Sequence, residues 1–200
     1  MKSSSRFFTL CSILGLGMSL AGCGGHNTVN VGGTVTGLNY DGLTLDNNGT
    51  QVSIPAKATS YVFPNTVNVD SIYTVTIVTQ PAHQACVVAN STGRVTGTQI
   101  DFANVGCSQL THAITGTITN FNGAQGSLVI GNGTTFVVPP AGATTYSLPN
   151  VPEQTTYGVV IQQPQLAQAV ANCIIIDPAS IAAATGVMGS ADVVVNINCM

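Results

Sequence analysis

Five blocks of this 200-residue chain occur twice, in the same order. Gly33-Thr34-Val35-Thr36-Gly37-Leu38 corresponds to Gly116-Thr117-Ile118-Thr119-Asn120-Phe121, and Leu43 to Thr50 corresponds to Leu128 to Thr134 with one residue fewer. Pro55-Ala56-Lys57-Ala58-Thr59-Ser60-Tyr61-Val62-Phe63-Pro64-Asn65 returns as Pro140-Ala141-Gly142-Ala143-Thr144-Thr145-Tyr146-Ser147-Leu148-Pro149-Asn150. Tyr73 to Ile77 then matches Tyr157 to Ile161, and Gln80-Pro81 matches Gln163-Pro164. The offset of about 85 residues is the size of a domain rather than of a solenoid unit. Each fold-forming solution must therefore work twice.

Within each copy the apolar spacing is two, the period of a strand. Leu43 and Leu45, Val52 and Ile54, and Val75 and Ile77 each share a face, as do Leu128 and Ile130, Phe136 and Val138, and Val159 and Ile161. Asn48-Gly49 and Asn132-Gly133 fall between such runs and read as hairpin turns, because Asn and Gly accept positive φ. Pro55, Pro64, Pro81, Pro140, Pro149 and Pro164 read as strand boundaries, since proline cannot donate to a ladder. The expected fold is all-β, two tandem β-sandwich domains of about seven short strands each. Between Asp177 and Gly186 the Ala-rich composition supports at most a turn of helix, capped by Asp177 or Ser180.

Only 6% of the residues are charged, and beyond residue 22 the basic ones are Lys57 and Arg94 alone. Such a chain cannot neutralise a run of phosphates, which excludes nucleic acid as a partner. Thr, Asn, Ser and Gln alternate with the apolar residues instead, giving a surface polar without charge.

The N-terminus carries a second signature. Lys2 and Arg6 precede an apolar run, Phe7 to Leu20, too short to span a bilayer, and Leu20-Ala21-Gly22-Cys23 follows. That tetrapeptide resembles a bacterial lipobox. The resemblance implies a cleaved leader over residues 1–22, lipidation by diacylglycerol and palmitate-like acyl chains at Cys23, and a tether over 23–30. Gly24 after the cysteine is not the Asp that retains lipoproteins at an inner membrane, so an outer-membrane location in the cell envelope is implied, on its periplasmic or surface face. The alternative is an ordinary signal peptide cut without lipidation. Domains are expected over 31–109 and 110–200.

Cys11 leaves with the leader, and Cys23 is taken by lipid. Cys86, Cys107, Cys173 and Cys199 remain, an even number in an oxidising compartment. Four cysteines allow three connectivities. The duplication makes pairing within each copy the natural one, Cys86 with Cys107 and Cys173 with Cys199.

The copies resemble a repeat of bacterial surface lipoproteins, carried here by Gly33 to Leu38, Leu43 to Gly49, Tyr73 to Ile77, Gln80-Pro81, Cys86 and Cys107. The second copy departs at Asn120, Gly131 and its longer segment between cysteines. The opening, the aromatic-proline step and the Tyr-x-Val strand are also similar to Ig-like and prealbumin-like sandwich modules of cell-surface proteins. That likeness implies spacing, display or binding and assigns no catalytic residue.

Chemistry-bearing motifs are scarce. His26, His83 and His112 form no His-x-x-x-His pair and read as solvated loop residues rather than metal ligands. Neither a Gly-x-Ser-x-Gly elbow nor a Walker loop occurs, so no catalytic residue and no cofactor is expected. Asp46-Asn47-Asn48-Gly49 lacks the Glu that a calcium loop requires and reads as a turn. Glu153 stands where the first copy has Asn68, and a single acid per copy makes a poor paired site. Tyr61 and Tyr146, like Tyr73 and Tyr157, fit core packing better than a sugar-stacking platform. The reading is a non-enzymatic, lipid-anchored envelope protein with a structural or protein–protein role, tethered to the membrane by its lipid. A cell-surface adhesin or glycan-binding module is the alternative, through loops Asn65 to Ser71, Asn90 to Gly97 and Asp177 to Gly189.

Overall fold

A computed structural model describes residues 27–97, 102–122, 128–133, 135–162 and 172–200. The leader 1–22, Cys23, His26, Asp101 and the Gln163-Pro164 step lie outside the described residues.

The first copy forms β1 (Thr28–Thr36), β2 (Leu43–Asn47), β3 (Thr50–Ile54), β4 (Ser60–Asn68), β5 (Ile72–Thr79), β6 (Gln84–Ala89), β7 (Thr92–Arg94) and β8 (Asn104–Gln109). The second forms β9 (Thr111–Thr119), β10 (Val129–Asn132), β11 (Thr135–Val137), β12 (Thr145–Pro152), β13 (Thr156–Gln162), β14 (Cys173–Ile174), helix α1 (Pro178–Ala183), β15 (Thr185–Val187), β16 (Val193–Val194) and β17 (Ile197–Cys199). Eight and nine described strands replace the seven expected per copy, because short edge strands such as β7 and β16 carry too few residues to show a period. β1 begins at Thr28, inside the segment expected as tether, because Thr28, Val29 and Asn30 pair with Asn68, Val67 and Thr66 of β4.

The sheet orders repeat as the sequence does. The first copy has sheets β4-β1-β8-β6 and β3-β2-β5-β7. The second has β12-β9-β17-β14, with β16 also on β9, and β11-β10-β13-β15. In each copy the first strand pairs antiparallel with the fourth and parallel with the last, as β1 does with β4 and β8 and β9 with β12 and β17.

Each pair of sheets turns one face inward. Val31, Val35, Phe63 and Val105 from one sheet meet Leu43, Leu45, Ile54 and Val75 from the other in a single cluster. Ile114, Ile118, Leu148 and Ile197 meet Leu128, Ile130 and Val159 in a second. Burying each such side chain contributes roughly 1.5–3 kcal/mol, which is what the period-two pattern is for.

Both copies use the same three-residue device at their centre. Gly33 lies opposite Tyr61 and Gly116 opposite Tyr146 in the ladders. The Tyr61 hydroxyl donates to the Ala103 carbonyl and that of Tyr146 to the Val195 carbonyl, each at 2.7 Å. A Cβ on Gly33 or Gly116 would run into that same carbonyl oxygen, so only glycine admits the close approach. Burial pushes the Tyr146 phenol up to about 12, and Tyr61 higher still.

The disulfides form within each copy. Cys86 faces Cys107 directly across β6 and β8, and Cys173 faces Cys199 across β14 and β17. The turn after Asp46 also forms as expected, with Asn48 at φ 50° and Gly49 at φ 91°. Asp46, Asn47 and Asn48 spend their side chains on Gly49 N–H, Thr74 N–H and the Ile72 carbonyl. Helix α1 is capped by Asp177, whose carboxylate accepts from the Ser180 N–H.

Two proline assignments need correction. Pro64 and Pro149 lie inside β4 and β12 rather than at their ends. Both strands are sheet edges, and the register of each shifts at that point, so the missing donor breaks no ladder bond.

Candidate functional site

Three places outside the cores concentrate chemistry: a buried carboxylate between the copies, an apolar sheet face and a polar cleft.

The carboxylate is Glu153, 2% exposed, in the turn between β12 and β13. Its Oε2 lies 2.7 Å from His83 Nδ1 and its Oε1 2.8 Å from His112 Nε2. An ionised carboxylate only accepts, so each of those nitrogens carries a proton. His83 comes from the turn between β5 and β6 of the first copy, held at φ 59°, with the Tyr40 ring edge-on at 5.3 Å. The same turn is fixed by the neighbouring Gln84, whose amide accepts from Asn39 and Tyr40 N–H and donates to the Gly37 carbonyl. His112 comes from β9, where it lies opposite Val151, and its Nδ1 is 3.7 Å from Asp192.

The backbone of Glu153 is engaged as well. Its N–H donates to the Leu110 carbonyl, and its carbonyl accepts from the Gln109 side chain. Leu110 N–H in turn donates to the His83 carbonyl. The hydrogen bond from His83, then that from His112, holds the Glu153 carboxyl below its ordinary 4.5.

This cluster corrects the reading of His83 and His112 as solvated loop residues. They are partners of one buried acid, separated from it by 70 and 41 residues. The alignment of Glu153 changes too. Asp70 and Gln154 share a positive φ, and Ser71 and Thr155 each bond back to the carbonyl three residues earlier, Asn68 and Pro152. Glu153 therefore stands where the first copy has Val69, not Asn68. The chemistry of the cluster is hydrogen bonding to a buried carboxylate. Both carboxylate oxygens face imidazole N–H groups, and no group of three or more ligating side chains among the described residues is placed to hold a metal ion.

The second place is the outer face of the sheet β11-β10-β13-β15. Phe136 and Val138 do share a face, but it is the outer one: Phe136 is 68% exposed, whereas Val137 packs on the core. The register explains this, since Val137 lies opposite buried Ile130 and Phe136 opposite Gly131. Gly131 and Gly133, with Val129, Val160, Gln162 and the Phe136 ring, line an open groove of about 370 Å³. In the first copy the equivalent cross-strand row is Gln51, Asp46 and Thr76, wholly polar. Of these two equivalent rows, only the one in the second copy carries apolar side chains.

The third is an open cleft of about 400 Å³ in the first copy, lined by Asn47, Asn48, Thr50, Asn65, Asn68 and Ser71 among others. Of the three loops expected at a binding end, Asn65 to Ser71 lines this cleft. All three contain regular structure: the end of β4 within Asn65 to Ser71, β7 within Asn90 to Gly97, and α1 with β15 within Asp177 to Gly189.

Compared with known proteins, the chain matches no family model and no curated relative.

Proposed function

We propose that the chain is a non-enzymatic, lipid-anchored envelope protein of two tandem β-sandwich domains, 28–109 and 110–200, that contacts other envelope proteins. The lipobox ending at Cys23 supports the anchor and an outer-membrane location, and the two cysteine pairs suit an oxidising compartment. The observation that carries the interaction role is the Phe136 face. A monomer gains nothing from leaving a phenyl ring 68% exposed over two glycines, whereas a protein interface uses such a ring as an anchor. The first copy, with Gln51 at the equivalent strand position, is its internal control.

The test places a photo-crosslinking residue at position 136 or, as control, at position 51 of the protein in its native envelope. Adducts at 136 and none at 51 support the reading. Equal yields at the two positions, or none at either, remove it.

A glycan-binding or adhesive role is the second reading, favoured by the polar cleft. Neutral amides and hydroxyls line it together with Val67 and Ile72, with no charged side chain among them, the complement of a neutral sugar. Binding on a glycan panel that Asn65→Ala and Asn68→Ala abolish would support it, and a blank panel would end it.

A further inference from the structure

We propose that Glu153 is a clamp that holds the two copies at one fixed relative orientation, and that protonating its carboxylate releases them. The duplication itself separates this role from folding. Val69 occupies the equivalent turn of the first copy, and its N–H donates to the Asn27 carbonyl just as Glu153 N–H donates to Leu110. Both Asn27 and Leu110 immediately precede the first strand of their copy. The turn thus forms with an apolar side chain, and a sandwich needs no acid there. The acid appears only where another copy precedes the strand.

Two contacts of Glu153 reach the first copy, His83 to its carboxylate and the Gln109 side chain to its carbonyl. Gln109 ends β8 and Thr111 opens β9, so Leu110 is the entire connector. A connector of one residue limits how far the copies can separate but leaves torsions about which they can swing. His83 reaches across from the first copy to one carboxylate oxygen, and His112 steadies the other. With 2% exposure the carboxylate has exchanged water for these two partners. Losing one of them leaves a buried charge half-satisfied, which penalises any orientation that moves His83 away.

The ionisable groups around the carboxylate are few. The β5–β6 turn brings His83, backed by Tyr40, and β9 brings His112. The segment before β16 brings Asp192, on the far side of His112 and also bonded to Ala113 N–H. Gln109 and Leu110 bring no charge. Among the described residues Glu153 is the one negative charge in contact with His83, so protonating it takes the charge out of that bond and weakens the attraction across the junction.

Distances between spin labels report the orientation. Labels attached through Ser53→Cys in the first copy and Ser190→Cys in the second, both at exposed positions, span the junction of the full mature protein. The native protein at neutral pH should give a single narrow distance. Glu153→Val, which installs the first copy's own residue, should broaden it while the circular dichroism of both copies is kept. Lowering the pH of the native protein below the carboxylate range should broaden it in the same way. His83→Gly, compatible with the positive φ, removes the bond to the carboxylate together with the Tyr40 edge contact, and covers the case in which Glu153→Val does not fold. An unchanged narrow distance in whichever of these variants folds would overturn the clamp, and so would a broad distance in the native protein at neutral pH.

Discussion

His83 Nδ1 and Glu153 Oε2 meet at 2.7 Å across 70 residues of sequence and across the boundary between two copies of one module. The contact is between unduplicated residues in a duplicated chain. What the copies share builds the paired sheets, and among what they do not share are the junction contacts, the Phe136 face and helix α1.

The carboxyl of Glu153 has its folded pKa lowered from an ordinary 4.5, first by the bond from His83 and then by that from His112. The sign follows from linkage: a depressed acid contributes stability that is present above 4.5 and lost as pH falls through the folded value. Thermal unfolding followed against pH should show Glu153→Gln less stable than the native protein at pH 7. The gap should close as the medium is taken well below 4.5. A gap independent of pH would contradict the assignment.

The buried tyrosines work at the other end of the scale. Tyr146, raised to about 12, contributes stability that is complete below its ordinary 10.0 and lost as pH rises through the folded value. Absorbance titration should show this phenol ionising well after an exposed one. Tyr146→Phe leaves the Val195 carbonyl without its partner and should cost about 1–2 kcal/mol in denaturant unfolding, with Tyr61→Phe matching it in the first copy. Gly116→Ala should be worse than either, because its Cβ strikes a backbone atom that cannot swing aside.

The disulfides close loops of 21 and 26 residues in sequence separation. On the chain-entropy model each contributes roughly 3 kcal/mol. Cys86→Ala with Cys107→Ala should lower unfolding stability by about that amount, as should the Cys173 and Cys199 pair. Equal unfolding of mutant and native protein under non-reducing conditions would contradict the model.

Phe136 is predicted to be dispensable for folding. Phe136→Ser should shift stability by no more than about 0.5 kcal/mol, as surface changes do. Its neighbour Val137 packs on the core, and Val137→Ser should destabilise by several times as much. The opposite ranking, read by denaturant melts, would mean that the register of β11 is wrong.

The fold was largely legible in the sequence because it is written twice. Matching prolines, tyrosines and cysteines fixed the repeat, and Asn48-Gly49 marked a real hairpin. Parity was harder. The spacing of Phe136 and Val138 shows that they share a face, and only the pairing of Val137 with Ile130 says which face that is. Pro64 misled because a bulged edge strand tolerates a residue that a central one does not. The Glu153 cluster escaped because no local spacing links residues 70 apart. A signal for it did exist: the chain's one glutamate stands where the other copy has Val69, and two of its three histidines are its partners.

The anchor is the claim on which the envelope role rests, and it has a direct measurement. Cells expressing the full chain are fed an alkyne analogue of palmitate, and the purified native and Cys23→Ser proteins are compared for label and intact mass. Label on a native protein that begins at residue 23, absent from Cys23→Ser, is the predicted result. A native protein without label, or label that survives Cys23→Ser, would contradict the account.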